Sequence, residues 1–282
     1  MVCHLRWLPY PRKALGKVIL FQNNYYITYN YMKRLIFAMI AAATIATAAA
    51  QPKVIAHRGF WDAPGSAQNS IRALVKADSI GCWGSEFDVW MTADGKLVVN
   101  HDASFKGLTI ETARAADVTA MTLSNGEHLP LLDDYLKTFA QHPGIKVVCE
   151  LKSHTDKRHE AKAVKKVLKL MKRHKLTDRA VYITFSPEAT REFVKHAPKG
   201  TEVYYLNGNW TPQQLKDEGC AGLDYSLAVM KKHPEWIEQC HSLGLKVNIW
   251  TVNRRDDLQW CIDHGADFIT TNDPLLLQQM IK

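Results

Sequence analysis

Acidic residues are missing from the first 50 positions of this 282-residue chain, which hold Arg6, Arg12, Lys13, Lys17, Lys33 and Arg34 with nothing to offset them. The excess of 36 Lys and Arg over 28 Asp and Glu is concentrated there, and residues 51–282 carry 30 basic against 28 acidic side chains. A nucleic-acid partner argued from overall charge would rest on that leader alone, so none is expected. Cysteine is scarce and unpatterned. Past Cys3 there are Cys82, Cys149, Cys220, Cys240 and Cys261, with no C-x-x-C and no zinc-module spacing. These thiols read as small apolar core residues, a single disulfide through Cys240 or Cys261 being the alternative in an oxidising compartment. No glycine-rich turn follows the first strand candidate, which counts against a dinucleotide fold. A hydrophobic content of 46% with 23% charged residues excludes a disordered or low-complexity chain.

A long apolar run is also lacking. Leu35–Ala50 spans 16 residues, where a membrane-spanning helix needs about 20. It follows Met32-Lys33-Arg34 and ends in Ala48-Ala49-Ala50 before Gln51. A basic start, an apolar middle and a small-residue end are the layout of a secretory signal peptide. No Cys follows the small residues, which disfavours a lipid anchor. Residues 1–31 are expected to be non-native upstream leader with Met32 the true start, 32–50 a signal peptide cleaved before Gln51, and 51–282 the exported domain, periplasmic or secreted.

Within 51–282, β-branched runs alternate with amphipathic stretches. Strand candidates lie at 53–57, 85–90, 97–101, 146–152, 181–185, 202–206, 221–224, 246–250 and 267–270. Helical patterns lie near 69–80, 131–141, 156–175, 187–196, 211–217, 233–243, 254–264 and 274–281. Alternation of this kind predicts parallel βαβ units, and eight of them in about 230 residues predict a single-domain α/β fold, the (β/α)8 TIM barrel. Segment 102–130 fits no barrel unit and is expected to decorate the active-site face. The lysine-rich helix at 156–175 carries Ala161, Val164, Leu168 and Met171 at helical spacing, so its charges belong to a solvated outer face, with membrane attraction weak at most.

Residues two apart in a strand share a face. Glu86 and Asp88 therefore converge, as do Glu150 and Lys152, while His57-Arg58 and His101 stand at the ends of strand candidates. In a (β/α)8 barrel the C-terminal strand ends form the mouth where chemistry occurs. Three carboxylates gathered there need a neutralising cation, and oxygen ligands suit Ca²⁺ or Mg²⁺. Arg58 and Lys152 are the cationic contacts that a phosphoryl group requires, and two imidazoles can act as acid and base near neutral pH. Together they describe phosphodiester cleavage.

The motifs His57-Arg58-Gly59, Asn69 opening a helix, Glu86-x-Asp88, Asp94-Gly95 with Val98-Val99-Asn100-His101-Asp102, Glu150-Leu151-Lys152, Trp250-Thr251-Val252-Asn253 and Gly265 through Pro274 resemble those of glycerophosphodiester phosphodiesterases, in the same order over about 53–280. The resemblance implies metal-dependent hydrolysis of glycerophosphodiesters to glycerol 3-phosphate and an alcohol. It implies Glu86, Asp88 and Glu150 as metal ligands, His57 and His101 as the catalytic acid/base pair, Arg58 and Lys152 as phosphate contacts, and Trp250 as an aromatic of the pocket wall. One departure stands out: Gln68 takes the place of the acid that the family places before Asn69. Two other readings are an enzyme acting on intact lipid in the manner of phospholipases C or D, and a non-catalytic binder of phosphorylated ligands. The oligomeric state is not legible in the sequence.

Overall fold

Eight parallel strands close on themselves: β1 (Lys53–Ala56), β2 (Gly84–Met91), β6 (Lys146–Leu151), β7 (Ala180–Thr184), β8 (Glu202–Tyr205), β9 (Gly222–Ser226), β10 (Lys246–Trp250) and β11 (Phe268–Thr271), with β11 pairing back onto β1. The computed structural model describes residues 51–282. The expected leader and signal peptide, 1–31 and 32–50, lie outside the described residues. Helices return the chain outside the barrel: α1 (Ile71–Ser79), α3 (Leu132–Gln141), α4 (Lys157–Arg173), α5 (Pro187–His196), α6 (Pro212–Asp217), α7 (Leu227–Lys232), α8 (Glu235–Ser242), α9 (Arg255–Asp263) and α10 (Pro274–Met280). The expected (β/α)8 barrel is therefore the fold.

Strand pleating sorts the side chains into two cores. Outward residues such as Phe87, Val89, Cys149, Leu151, Leu223 and Tyr225 pack under the helices. Inward residues Ile55, Val148, Val181, Ile183, Tyr204, Leu206 and Phe268 fill the barrel interior. That plug fills the barrel below the C-terminal mouth, the end where barrels of this kind place their chemistry. All five cysteines of the domain are free and buried, as the apolar reading expects, and no disulfide forms among the described residues.

Three details differ from the sequence expectation. The 97–101 candidate is not a barrel stave: β3 (Leu97–Val99) runs antiparallel to β2 and stops at Val99, so His101 lies on a loop beyond it. Physically, β2 overshoots its neighbours at the mouth, and β3 folds back along the overhang, returning His101 toward Asp88. The expected helix over 233–243 is preceded by a separate short helix, α7, capped by Ser226 at the end of β9. On α4 the buried stripe is Ala163, Val164, Val167 and Met171 rather than one containing Ala161 and Leu168, which are half-buried. The stripe is displaced because α4 also buries Glu160, whose carboxylate accepts from the His154 amide and the Ser186 hydroxyl.

Segment 102–130 folds as an annex, with a small hairpin of β4 (Ser104–Phe105) and β5 (Leu108–Thr109) and a short helix α2 (Ala115–Thr119). Ile110, Val118 and Leu129 pack with Trp90 and Val98 in a third, separate cluster. This anchors the segment to the β2–β3 hairpin at the rim of the mouth.

Candidate active site

The site begins with a turn that few residues can make. Arg58 and Gly59 both take positive φ, 55° and 76°, directly after β1. A Cβ on Gly59 would sit 2.6 Å from Ala73 Cβ of α1, so only glycine fits. The turn aims the Arg58 amide at Glu86 Oε2 (2.8 Å) and the Gly59 amide at the Glu86 carbonyl (3.1 Å). Asn69, also at positive φ, then clamps Asp88: its Nδ2 donates to Asp88 Oδ2 at 2.8 Å, and its Oδ1 accepts from the Asp88 amide at 3.2 Å. Ser70 caps α1 immediately afterwards, accepting from the Ala73 amide.

Glu86, Asp88 and Glu150 converge as the strand spacing predicts. All three are buried, and one carboxylate oxygen from each lies within 4.8 Å of the others. Lys152 Nζ lies 2.7 Å from Glu150 Oε1 and 3.1 Å from Asp88 Oδ1, and Arg58 Nε lies 3.7 Å from Asp88 Oδ2. The compensation is uneven. Burial pushes the Glu86 carboxyl well above its ordinary range, and the neighbouring Asp88 and Glu150 push it further. Burial, then Asp88, raises Glu150 to about 7. For Asp88 burial acts the other way but is outweighed by Lys152, His101, Asn69 and Arg58, which hold it low. Glu86 Oε1 is buried without a hydrogen-bond partner. A buried acceptor left unpaired beside two more carboxylates fits a set of oxygen donors for a hard divalent cation.

The two imidazoles are held alike. His57 Nδ1 is 2.7 Å from Asn272 Oδ1, which also accepts from Trp61 Nε1 at 3.3 Å. Two groups converging on that oxygen fix the amide orientation, so His57 donates through Nδ1 and keeps Nε2 free for proton exchange. Asn272 is itself positioned by Asn253, whose Oδ1 accepts from the Asn272 amide at 2.8 Å. Burial, then Arg58, lowers His57 to about 4, so its ring is neutral at pH 7. His101 Nδ1 lies 2.7 Å from Asp102 Oδ1, and its carbonyl accepts from Trp90 Nε1. Asn69, Asn253 and Asn272 are roles that the residue-by-residue reading missed. Their signal was present in the quoted motifs, but a neutral amide announces no chemistry by itself.

Two cavities open here. A small one of about 110 Å³ is lined by His57, Arg58, Glu86, His101, Glu150 and Lys152 on one side, and by Ile183, Phe185, Leu206, Asp224 and Trp250 on the other. A wider groove of about 710 Å³, lined by Trp61, Asp62, Gln68, Asp102, Phe105 and Lys106 among others, meets it at Arg58 and His101. The annex thus walls the site, as expected. Trp250 stands at the pocket, edge-on to Phe185, with Nε1 bonded to the Asp224 carbonyl. Gln68 is exposed and contacts neither an imidazole nor the carboxylates; its Oε1 accepts from Arg58 Nη1 at 2.6 Å.

A second gathering of possible metal donors, Glu111, His154 and His159, lies under the annex. Both nitrogens of His154 are already engaged: Nδ1 with the Lys152 carbonyl and Nε2 with the Met91 amide. It serves as a tie between β2 and the end of β6.

The chain matches the glycerophosphoryl diester phosphodiesterase family model over residues 57–276. It is similar to a glycerophosphodiester phosphodiesterase from Parabacteroides distasonis of known crystal structure, with 44% identity and a TM-score of 0.81, covering 82% of this chain and 97% of that one. A glycerophosphodiester phosphodiesterase from Caldanaerobacter subterraneus subsp. tengcongensis is 28% identical over 244 residues, 81% of this chain and 97% of the relative. The fold is shared with an Oleispira antarctica phosphodiesterase solved in complex with the product sn-glycerol-3-phosphate, at 22% identity and a TM-score of 0.72, covering 82% of this chain and 97% of that one. With the fold, the converging site and these matches in agreement, the chain belongs to the glycerophosphodiester phosphodiesterase family and is a phosphoric diester hydrolase.

Proposed function

We propose that the enzyme hydrolyses glycerophosphodiesters to glycerol 3-phosphate and an alcohol with the aid of one divalent cation, Ca²⁺ or Mg²⁺, held by Glu86, Asp88 and Glu150. The observation that carries this reading is the buried three-carboxylate cluster with the orphan Glu86 Oε1. Such a cation, when bound, would supply charge neutralisation for the non-bridging phosphate oxygens. Arg58 and Lys152 add fixed positive charge at the same place and orient the phosphate. His57 and His101 exchange protons through Nε2: one ring accepts the proton of the attacking hydroxyl, and the other gives a proton to the alcohol oxygen as its bond to phosphorus breaks. The attacking group is water, or the glycerol 2-hydroxyl, which would expel the alcohol to give a cyclic phosphate that water then opens to glycerol 3-phosphate. Trp250 and the apolar wall beside it keep bulk water from the reacting centre, so these charges act at full strength. The product complex of the Oleispira relative supports glycerol 3-phosphate as the retained half.

The proposal extends to location. The Met32–Ala50 layout supports export to the periplasm or the medium, and N-terminal sequencing of the mature protein should begin near Gln51. A panel of glycerophosphodiesters assayed with and without chelator tests the chemistry. Faster turnover of the diacyl parent of glycerophosphocholine than of the deacylated compound would favour the intact-lipid reading.

A further inference from the structure

The longest of the described helices is α4, with 17 residues against 10 in each of its neighbours α3 and α5, and its outer face carries charge of one sign. Arg158, Lys162, Lys165, Lys169 and Lys172 follow one another at alternating steps of four and three residues, so they stand in one row along the helix. All five are exposed. The row lies opposite the buried stripe of Ala163, Val164, Val167 and Met171, on the line of the helix farthest from the barrel. Glu160, the one acid of α4, is buried on the inner side. Ion pairs form only beside the row: Lys157 Nζ lies 3.1 Å from Glu188 Oε2, and Arg173 Nη1 lies 3.2 Å from Asp133 Oδ2. Lys166, off the row, reaches the Gly95 carbonyl. Among the described residues no acid pairs with any of the five; the N-cap Asp156 accepts from the Arg158 amide instead. At 1.5 Å per residue the row is about 21 Å long. Like charges at these spacings repel, a cost that a surface of opposite sign would remove.

We propose that α4 docks the protein on an anionic phospholipid bilayer, with its row of five cations lying along the headgroup plane. A straight row at the summit of a helix meets a plane along its whole length. A partner that wrapped round the helix would meet flanks where Glu188 and Asp133 already neutralise the cations. Four of the five are lysines, point charges on flexible stems that suit a diffuse layer of phosphates better than one shaped anion. No Phe, Tyr, Trp, Asn or Gln stands on α4 to stack on a base or read its edge, which sets nucleic acid aside. The exposed large apolar side chains of the domain, Leu108 and Leu275, are on other elements, so attachment is electrostatic and reversible, without insertion. Because α4 follows β6, it starts at the mouth and runs back alongside the barrel. Docking through it lays the barrel on its side, and the mouth opens along the bilayer rather than into it. That posture suits a water-soluble substrate, although the docking itself does not depend on which substrate is cleaved.

The test is co-sedimentation of the full chain with vesicles of phosphatidylglycerol and phosphatidylcholine in equal parts, and with vesicles of phosphatidylcholine alone. Wild type should bind the mixed vesicles at low salt, leave the neutral ones free, and be released as salt rises to about 0.5 M. Each cation held near an anionic surface contributes about fivefold to binding. A variant combining Lys162→Gln, Lys165→Gln, Lys169→Gln and Lys172→Gln should therefore bind at least about 10²-fold more weakly, and Lys165→Gln alone about three- to fivefold. A control combining Lys195→Gln, Lys199→Gln, Lys232→Gln and Lys282→Gln removes the same charge from exposed positions on other elements and should stay within about threefold of wild type. Without vesicles, all three variants should hydrolyse glycerophosphocholine as wild type does, which shows that they fold. Equal losses in the row variant and the control would reduce the effect to net charge and overturn the proposal. So would a row variant that binds like wild type, or a wild type that binds neutral vesicles as well as anionic ones or binds neither. Row-dependent binding that is tighter to heparin than to the mixed vesicles would assign the row to a linear polyanion and overturn the bilayer.

Discussion

The two halves of the barrel mouth solve opposite problems. On the side of β1, β2 and β6, three buried carboxylates, Arg58, Lys152 and His57 crowd one small space. On the side of β7 to β10, Ile183, Phe185, Leu206 and Trp250 present hydrocarbon, with Asp224 as the one charged type among them and Thr251 beside it. The charged half cannot be stable as it stands. Its cations hold only Asp88 low; Glu86 has none beside it, and Glu150, although Lys152 lies 2.7 Å away, is still raised by burial and by Asp88. The apolar half worsens that imbalance by lowering the local dielectric, and the same low dielectric makes any added positive charge more effective. Each half is therefore costly alone and useful against the other.

Removing charge from the charged half should break the pairing most severely. Chelation, Glu86→Ala or Asp88→Ala should each cut turnover by at least about 10³-fold, because several kcal/mol of transition-state charge stabilisation is lost. Activity measured in EDTA and after return of Ca²⁺ or Mg²⁺ checks this, and undiminished turnover in EDTA would remove the metal from the mechanism. Next in size are the imidazoles. His57→Ala and His101→Ala should each slow the reaction by at least about 10²-fold while metal binding measured by calorimetry stays near wild type. A variant close to wild-type rate would reduce that ring to a structural part.

The charged half was also the legible half. Charge at strand ends stands out in a sequence, and period-two spacing places Glu86 with Asp88 and Glu150 with Lys152 without any structure. The barrel strands were equally readable, since β10 falls on the expected 246–250 and the others lie within two residues of expectation at each end. The apolar half was silent for a physical reason. Ile183, Phe185 and Leu206 alternate inward like any barrel filling, and only three-dimensional closure shows that they stop below a cavity. Asp224 was passed over because one acid in the 221–224 strand candidate belongs to none of the motifs, although the strand itself was expected. The reversal of β3 was hidden too, because a three-residue apolar run looks the same whether it pairs parallel or antiparallel.

Gln68 gives a smaller and sharper comparison, between a charged and a neutral partner for the same guanidinium. Its contact with Arg58 rather than with an imidazole makes Arg58 the group that a Gln68→Glu change should affect. A carboxylate there would form a charge-assisted pair and draw the guanidinium away from the phosphate. The site is exposed, so the expected outcome is modest: KM for glycerophosphocholine rises about two- to fivefold with kcat nearly unchanged. A shifted pH–rate profile with constant KM would place the influence on a His instead.

The smallest effect concerns the apo protein and has its sign set by linkage. Glu86 and Glu150 have folded pKa values above those of the unfolded chain, Glu150 at about 7. Groups raised in this way bind more protons in the folded state, so their contribution is fully present below the unfolded value near 4.5 and is lost as pH rises through the folded value. In chelator, thermal stability should therefore fall from pH 5 to pH 8. Glu86→Gln keeps an oxygen for the Arg58 amide and puts a donor where Oε1 lacks a partner, so its melting curve in EDTA should be flatter with pH and higher at pH 8. Saturating Ca²⁺ or Mg²⁺ should stabilise wild type most at that same pH and leave Glu86→Gln little changed. The apolar half supplies the internal control. Asp224→Asn removes another raised carboxyl, so it should also flatten the apo profile, but it lies across the mouth from the cluster and should keep the full stabilisation by cation. If Asp224→Asn lost the cation response and Glu86→Gln retained it, the metal would have to be placed on the opposite side of the mouth.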